Sequence, residues 1–446
     1  MIDRRTLIAS AAATAATAAA ASAMARTVKA AVKPDPHFPS DFLWGAATAA
    51  YQVEGNNLNS DVWPLEHAEH SAYIEPSGDA ANSFVLWRTD LDLVKAMGLN
   101  TYRFSLEWGR IEPAPGQFSI AMLDHYKAMI EGCRERGLTP IVTFNHFTTP
   151  VWFAASGGWY QKEAPAIFAR FCGRAARHLA AGIGYALTLN EPNLIGMLPM
   201  LLPKDSGARL LAEDRVMSQA VARSMNVPLY LSGNGLFLPD AAVVQANLIA
   251  GHKAAREAMK AARPDLPVGV SLAMNDDHAV GPNSMRDRIR SRLYDPWLEA
   301  ARADDFIGVQ NYWRAVWDAT HRLPAPAGVM TDENGTELYA PSLANAARYA
   351  HAKCGRPVVV TEHGCNVADD TKRARFIPAA LVELRRAMDE GLPVRGYTHW
   401  SLIDNYEWFC GYKPQYGLHT LDRNTFARTP KPSAAVLGDI ARRNSL

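Results

Sequence analysis

The chain has little of what marks a membrane, metal or nucleic-acid protein. Outside its N-terminal leader it contains no continuous run of about 20 apolar residues, so no segment is long enough to span a bilayer. Only five of its 446 residues are cysteine (133, 172, 354, 365 and 410), an odd number with no CxxC spacing, which argues against a disulfide framework and a zinc ribbon. The first strand-like segment runs into AAYQVEG rather than a G-x-G-x-x-G turn, which removes the main support for a doubly wound nucleotide-binding sheet. A Walker loop, an HExxH helix and an H-x-H on the first strand are missing as well, so neither a cofactor nor a metal is expected. The formal net charge is +1, without any long block of one sign, which gives no electrostatic reason to expect nucleic acid or a polyanionic partner. A neutral small molecule is the easier substrate to accommodate.

What is present is a large apolar chain with an unusual beginning. At 48% hydrophobic residues it can bury a sizeable core, and its length fits one big barrel or two to three ordinary domains. Eleven tryptophans suggest flat apolar faces for a ligand as well as core packing. Residues 1–25 place Arg4 and Arg5 before an alanine-rich run that ends in Ala21-Ser22-Ala23 and Ala23-Met24-Ala25. That order resembles a twin-arginine export signal, and it predicts a periplasmic or secreted protein.

After the leader, strand-like segments alternate with helix-period segments throughout, the pattern of a parallel sheet covered by helices. Eight candidate strands are expected at 42–50, 99–108, 138–147, 183–192, 267–276, 305–313, 356–364 and 394–404. The helix between the first two has Asn82 or Ser83 as its expected cap and Gly98 at its stop. Short-period repeats and Pro/Ser linkers are lacking, so eight βα units point to a single (β/α)₈ barrel over 26–446. In such a barrel the C-terminal strand ends converge on one mouth and carry the active site. Those ends bring together Gln52, Arg103, His146, Asn190, Glu191, Tyr312, Glu362 and Trp400. PVVVTEHGC, at 357–365, ends a doubly buried strand on a carboxylate, an expensive place for an unpaired charge. Two glutamates across one cavity suit a glycosidic bond: one protonates the departing oxygen while the other meets the oxocarbenium-like carbon.

TLNEPN (188–193) and VTEHG (360–364) resemble the acid/base and nucleophile motifs of family 1 glycoside hydrolases, the β-glucosidase and β-galactosidase family. AAYQVEG, TYRFSLEWGRIEP, FNHFTTP, GGW, DFIGVQNY and GYTHWSLIDNYEW follow in the family's order, so the likeness covers nearly the whole chain after the leader. The resemblance implies that Glu191 is the acid/base and Glu362 the nucleophile of a retaining exo-β-glycosidase acting on a small β-glycoside. It implies that Asn190 meets the sugar 2-hydroxyl, that Gln52, His146 and Glu407 hold the 3-, 4- and 6-hydroxyls, and that Trp400 forms the floor with Trp408 at its edge. Arg103 and Tyr312 would then hydrogen-bond Glu362 and keep it ionised.

Several positions depart from the family pattern and bear on sugar preference. His363 replaces the usual asparagine after the nucleophile, Phe147 a common tryptophan, and Gln310-Asn311 an asparagine-aromatic pair. After Glu191 the expected glycine- and histidine-containing loop gives way to a stretch with Met197, Leu198, Met200, Leu201 and Leu202, an apolar wall for packing or for an aglycone. Two other readings stand beside hydrolysis of a neutral glycoside. A phospho-β-glycosidase is opposed by Glu407-Trp408, where phosphate-binding members resemble a serine and lysine pattern. A non-catalytic glycoside-binding protein has no need of two acids.

Overall fold

The computed structural model describes residues 36–194 and 204–446; the leader and the Met197–Leu202 wall lie outside the described residues. Eight parallel strands close into a barrel: β1 (Leu43–Ala47), β2 (Thr101–Ser105), β3 (Thr139–Asn145), β4 (Tyr185–Asn190), β5 (Val268–Ala273), β6 (Phe306–Asn311), β7 (Val358–His363) and β8 (Val394–Trp400). Every strand pairs with its sequence neighbours and β8 pairs with β1, so the sheet has no free edge. All eight expected segments contain their strand. The fold is a (β/α)₈ barrel. All five cysteines are free thiols, and no described helix is long and apolar enough to cross a membrane.

Buried apolar side chains form five clusters among the described residues, two of which concern the barrel wall. Leu43, Ile141, Leu187, Phe306 and Val359 form one small cluster contributed by five strands. A much larger cluster, with Trp44, Phe104, Trp108, Phe168, Phe171 and Trp297, glues the helices to the strands. The helix at Ser83–Ala96 begins where expected, although Asn82 lies in the left-handed region (φ +52°) and makes no capping bond. Ser83 instead donates its hydroxyl to Asp90 (2.6 Å), two turns along the same helix, and Asp90 also accepts from Arg428 Nε (2.9 Å).

Two register shifts aim the strand ends at the mouth. On β7, Val360 pairs with Val309 of β6 but Glu362 pairs with Gln310, which inserts one extra residue, Thr361. On β4, Leu187 pairs with Gly269 whereas Asn190 pairs with Ser271, again one residue too many for a regular ladder. Such bulges re-aim side chains, and here Thr361 and Glu362 both serve the barrel interior: Thr361 bonds Ser271 and Glu362 bonds Arg103.

Gly364, immediately after β7, packs against β8 so closely that an added Cβ would overlap the Trp400 carbonyl oxygen. Gly364→Ala should therefore push β8 away from the nucleophile-motif strand and lower stability by about 1–3 kcal/mol, the cost of overpacking a core. Thermal or urea unfolding of the two proteins checks this.

Candidate active site

The strand ends surround one cavity of about 260 Å³, lined by Gln52, His146, Asn190, Glu191, Tyr312, Glu362, Trp400, Glu407 and Trp408, every cavity-facing residue expected from the sequence. Arg103 lies just beneath, fully buried on β2. Its Nη1 donates to Glu362 Oε1 (2.5 Å) and its Nη2 to Asn190 Oδ1 (2.5 Å), tying β2 to β7 and β4. The Tyr312 hydroxyl donates to the other Glu362 oxygen. Behind β4, Thr188 hydrogen-bonds His252 Nδ1 (2.7 Å), whose Nε2 lies 3.2 Å from Asp304, so the strand that carries Asn190 is pinned from its outer side.

Glu191 sits one residue beyond β4 with φ +41°, a backbone region that costs a non-glycine residue about 1–3 kcal/mol. It is held there by its own N–H donating to Ser271 O (2.8 Å) and by Leu194 N–H donating to its carbonyl (2.9 Å). Asn193 adds a two-way clamp on Ala273, donating to its carbonyl (2.7 Å) and accepting from its N–H (3.1 Å). His146 is carried on a similar tight loop in which Phe147 has φ +67°. Asn145 Nδ2 donates to Thr148 O (2.7 Å) and Thr148 donates to the buried Glu107 carboxylate (3.0 Å).

The acids differ in their surroundings. Burial pushes the Glu191 carboxyl well above the usual carboxylate range, the Glu362 charge pushes the same way, and Arg103 opposes them only in part. Burial also raises Glu362, but the Arg103 charge and the bonds from Tyr312 and Arg103 pull it back. The two expected hydrogen bonds are present, and both favour the anion against burial. Glu362 gives up its proton first and Glu191 keeps it longer. Burial lifts Glu407 to about 8 against a 3.2 Å hydrogen bond from Trp400 Nε1, so it carries its proton near neutrality. His146 is held neutral by burial and by the Arg103 charge.

Aromatic rings shape the remaining walls. Trp400 stacks against the His146 ring (5.7 Å between centroids, 14°), and Trp408 stacks on Tyr51 (5.7 Å, 10°) while presenting itself edge-on to Phe147. Among the departures, Phe147 and Gln310 line the cavity. His363 does not: it points to the outer side of β7, between Phe376 and Tyr397, with Nδ1 2.9 Å from the Tyr397 hydroxyl. Asn311 spends its amide on the Met274 (2.8 Å) and Trp313 (3.3 Å) carbonyls. Residues not anticipated are Ala273, Met274 and Asn275 at the end of β5, Trp313, Leu194 and Tyr416. The first four lie at strand ends that the alternating pattern marks; Tyr416 lies on a loop with no such signal.

With two unlike glutamates facing one cavity at the mouth of a closed barrel, the comparison with known proteins is decisive: the pattern that defines Glycosyl hydrolase family 1 matches residues 35–276 and 331–446. The chain belongs to glycosyl hydrolase family 1. It is a β-glycosidase. Among curated relatives, β-glucosidase A of Thermotoga maritima is 26% identical over 92% of this chain and 98% of its own length, and a β-glucosidase of an Agrobacterium species is 29% identical over 89% and 93%. Among solved structures, the β-glycosidase BGL167 is 43% identical with a TM-score of 0.85, covering 92% of this chain and 98% of that one. A β-glucosidase designated 1317 is 38% identical with a TM-score of 0.86, covering 90% and 98%.

The Tyr312 bond makes a titration prediction for this β-glycosidase. Because that bond favours the Glu362 anion, Tyr312→Phe should raise the pH at which Glu362 ionises by on the order of one unit. Carboxyl ¹³C NMR of labelled glutamate, recorded in a Glu191→Gln background, checks the shift; an unmoved titration would show that the hydroxyl does not stabilise the anion.

Proposed function

We propose that the protein is a retaining exo-β-glycosidase that removes one sugar from small β-glucosides or β-galactosides by double displacement. The observation that carries this reading is the contrast between its two buried carboxyls. Glu362 receives donors on both oxygens, whereas burial and the Glu362 charge drive Glu191 toward its protonated form. A Glu362 oxygen attacks the anomeric carbon as the C–O bond breaks, and the departing oxygen takes the proton of Glu191. Glu191, now a carboxylate, removes a proton from water, which attacks the same carbon, expels Glu362 and restores the original anomeric configuration. Each inversion cancels the other.

The rest of the cavity suits a neutral sugar. Asn190 faces the 2-hydroxyl; Gln52, His146 and a protonated Glu407 hold the 3-, 4- and 6-hydroxyls; the indole of Trp400 takes the apolar face of the pyranose. Among the described residues that line the cavity there are three glutamates and no lysine or arginine, which disfavours a phosphorylated sugar.

The two acids should fail differently. Glu362→Gln should lower turnover of a nitrophenyl β-glucoside by about 10⁴-fold or more, since an amide forms no glycosyl ester. Glu191→Ala should be far less impaired on a good leaving group, which needs no proton, and azide should rescue it as a β-glycosyl azide. ¹H NMR that showed the α-anomer as first product from a β-glycoside would overturn the mechanism.

Export is proposed on the same footing, from Arg4-Arg5 and the alanine-rich run that follows. Replacing both arginines with lysine should leave the protein in the cytoplasm of an expressing bacterium. An unchanged periplasmic fraction would remove the twin-arginine reading.

A further inference from the structure

Four polar atoms on residues lining the cavity are buried without a hydrogen-bond partner among the described residues: Gln52 Oε1, His146 Nδ1, Gln310 Oε1 and Trp313 Nε1. Buried polar groups are normally satisfied, so an unpartnered one on the cavity wall is a candidate contact for a ligand atom. The family resemblance already gives Gln52 and His146 sugar hydroxyls. It gives Gln310 nothing, because this position departs from the family pattern.

The orientation of the Gln310 amide follows from its neighbours. Arg103 can only donate, so the Asn190 atom 2.5 Å from its Nη2 is the amide oxygen. The Gln310 atom 2.8 Å from that same oxygen must then be Nε2, which leaves Oε1 as an acceptor with no donor. Asn190 in turn directs its Nδ2 into the cavity, where it lies 3.3 Å from His146 Nε2 with one hydrogen to spare. Gln310 is also the register partner of Glu362 on one side and of Ala273 on the other. Its amide thus binds the Asn190 oxygen from the strand position next to Glu362.

We propose that Gln310 is a specificity-determining residue whose Oε1 accepts a hydrogen bond from the sugar C2 hydroxyl, so that this hydroxyl accepts from Asn190 Nδ2 and donates to Gln310 Oε1. The proposal rests on the roles of Asn190 and Glu362 given under Proposed function. A hydroxyl beside a carbon that gains positive charge becomes a better donor, so the bond to Oε1 strengthens as the oxocarbenium-like state forms. The site thereby selects sugars that carry a donor at C2.

The test uses the full chain with nitrophenyl β-glucoside and its 2-deoxy analogue. Gln310→Met, similar in size and without an acceptor oxygen, should lower kcat/KM on the parent glucoside by about ten- to a hundredfold while changing the 2-deoxy substrate less than about threefold. Gln310→Glu keeps an oxygen at Oε1 and should retain more of the preference for the 2-hydroxyl than Gln310→Met; the reverse order counts against the proposal. An equal loss on both substrates, or no loss on either, overturns it. In an Asn190→Ala background, a further loss confined to the 2-hydroxy substrate supports direct contact; no further effect shows that Gln310 acts only by orienting Asn190 and overturns the proposal. Wild-type protein inert on the parent glucoside would instead refute the underlying glycosidase mechanism, so the two failures are told apart.

Discussion

A single guanidinium organises this barrel mouth. Arg103 is fully enclosed, and a charge in that position is tolerable only because Glu362 and Asn190 take up its donors. Truncating either member of such a buried pair typically costs about 3–5 kcal/mol, since the other is left charged and unpaired. The rest of the site follows from this contact. It fixes which end of the Asn190 amide is oxygen, and through that oxygen it fixes the Gln310 amide. Its charge disfavours a second cation and helps keep His146 neutral. By drawing Glu362 toward the anion, it creates the negative charge that drives Glu191 toward its acid form.

The electrostatic arrangement is therefore one cation serving three buried carboxyls. Not all three can ionise together near neutrality, and proximity to Arg103 decides the order. Glu362, in direct contact, loses its proton most readily. Glu191 and Glu407 have no cation of their own and hold theirs, Glu407 to about 8. This contrast is what the proposed attack by Glu362 and proton donation by Glu191 require. The same logic explains why the backbone at Glu191 adopts a costly conformation: two bonds to its main chain and the Asn193 clamp keep an acid in a place that solvation would not choose.

The eight strands and the alternation of β and α could be read directly because a doubly buried strand demands a continuous apolar run, and such runs recur at regular spacing along the chain. The cavity-facing acids, amides and tryptophans were equally legible, since they end those runs as polar or aromatic interruptions within motifs that match one family. Other features were not. Asn82 or Ser83 was expected to cap a helix, yet Asn82 makes no capping bond and Ser83 turns its hydroxyl to Asp90 of the same helix. His363 read as a departure bearing on sugar preference, yet it faces Phe376 and Tyr397 on the outside of β7.

What the sequence by itself determined is the barrel, its family and the pair of glutamates, because these rest on residue type and periodicity along the chain. What only the tertiary structure decided is which way individual side chains face and which amide oxygen is left without a partner. A strand alternates sides every residue, so one extra residue reverses every side after it, and the bulges that turn Asn190 and Glu362 inward leave no mark on a pattern read along one strand. The open acceptor of Gln310 likewise exists only because Arg103, 207 positions away (310 − 103), reaches Asn190 from a different strand and dictates its orientation.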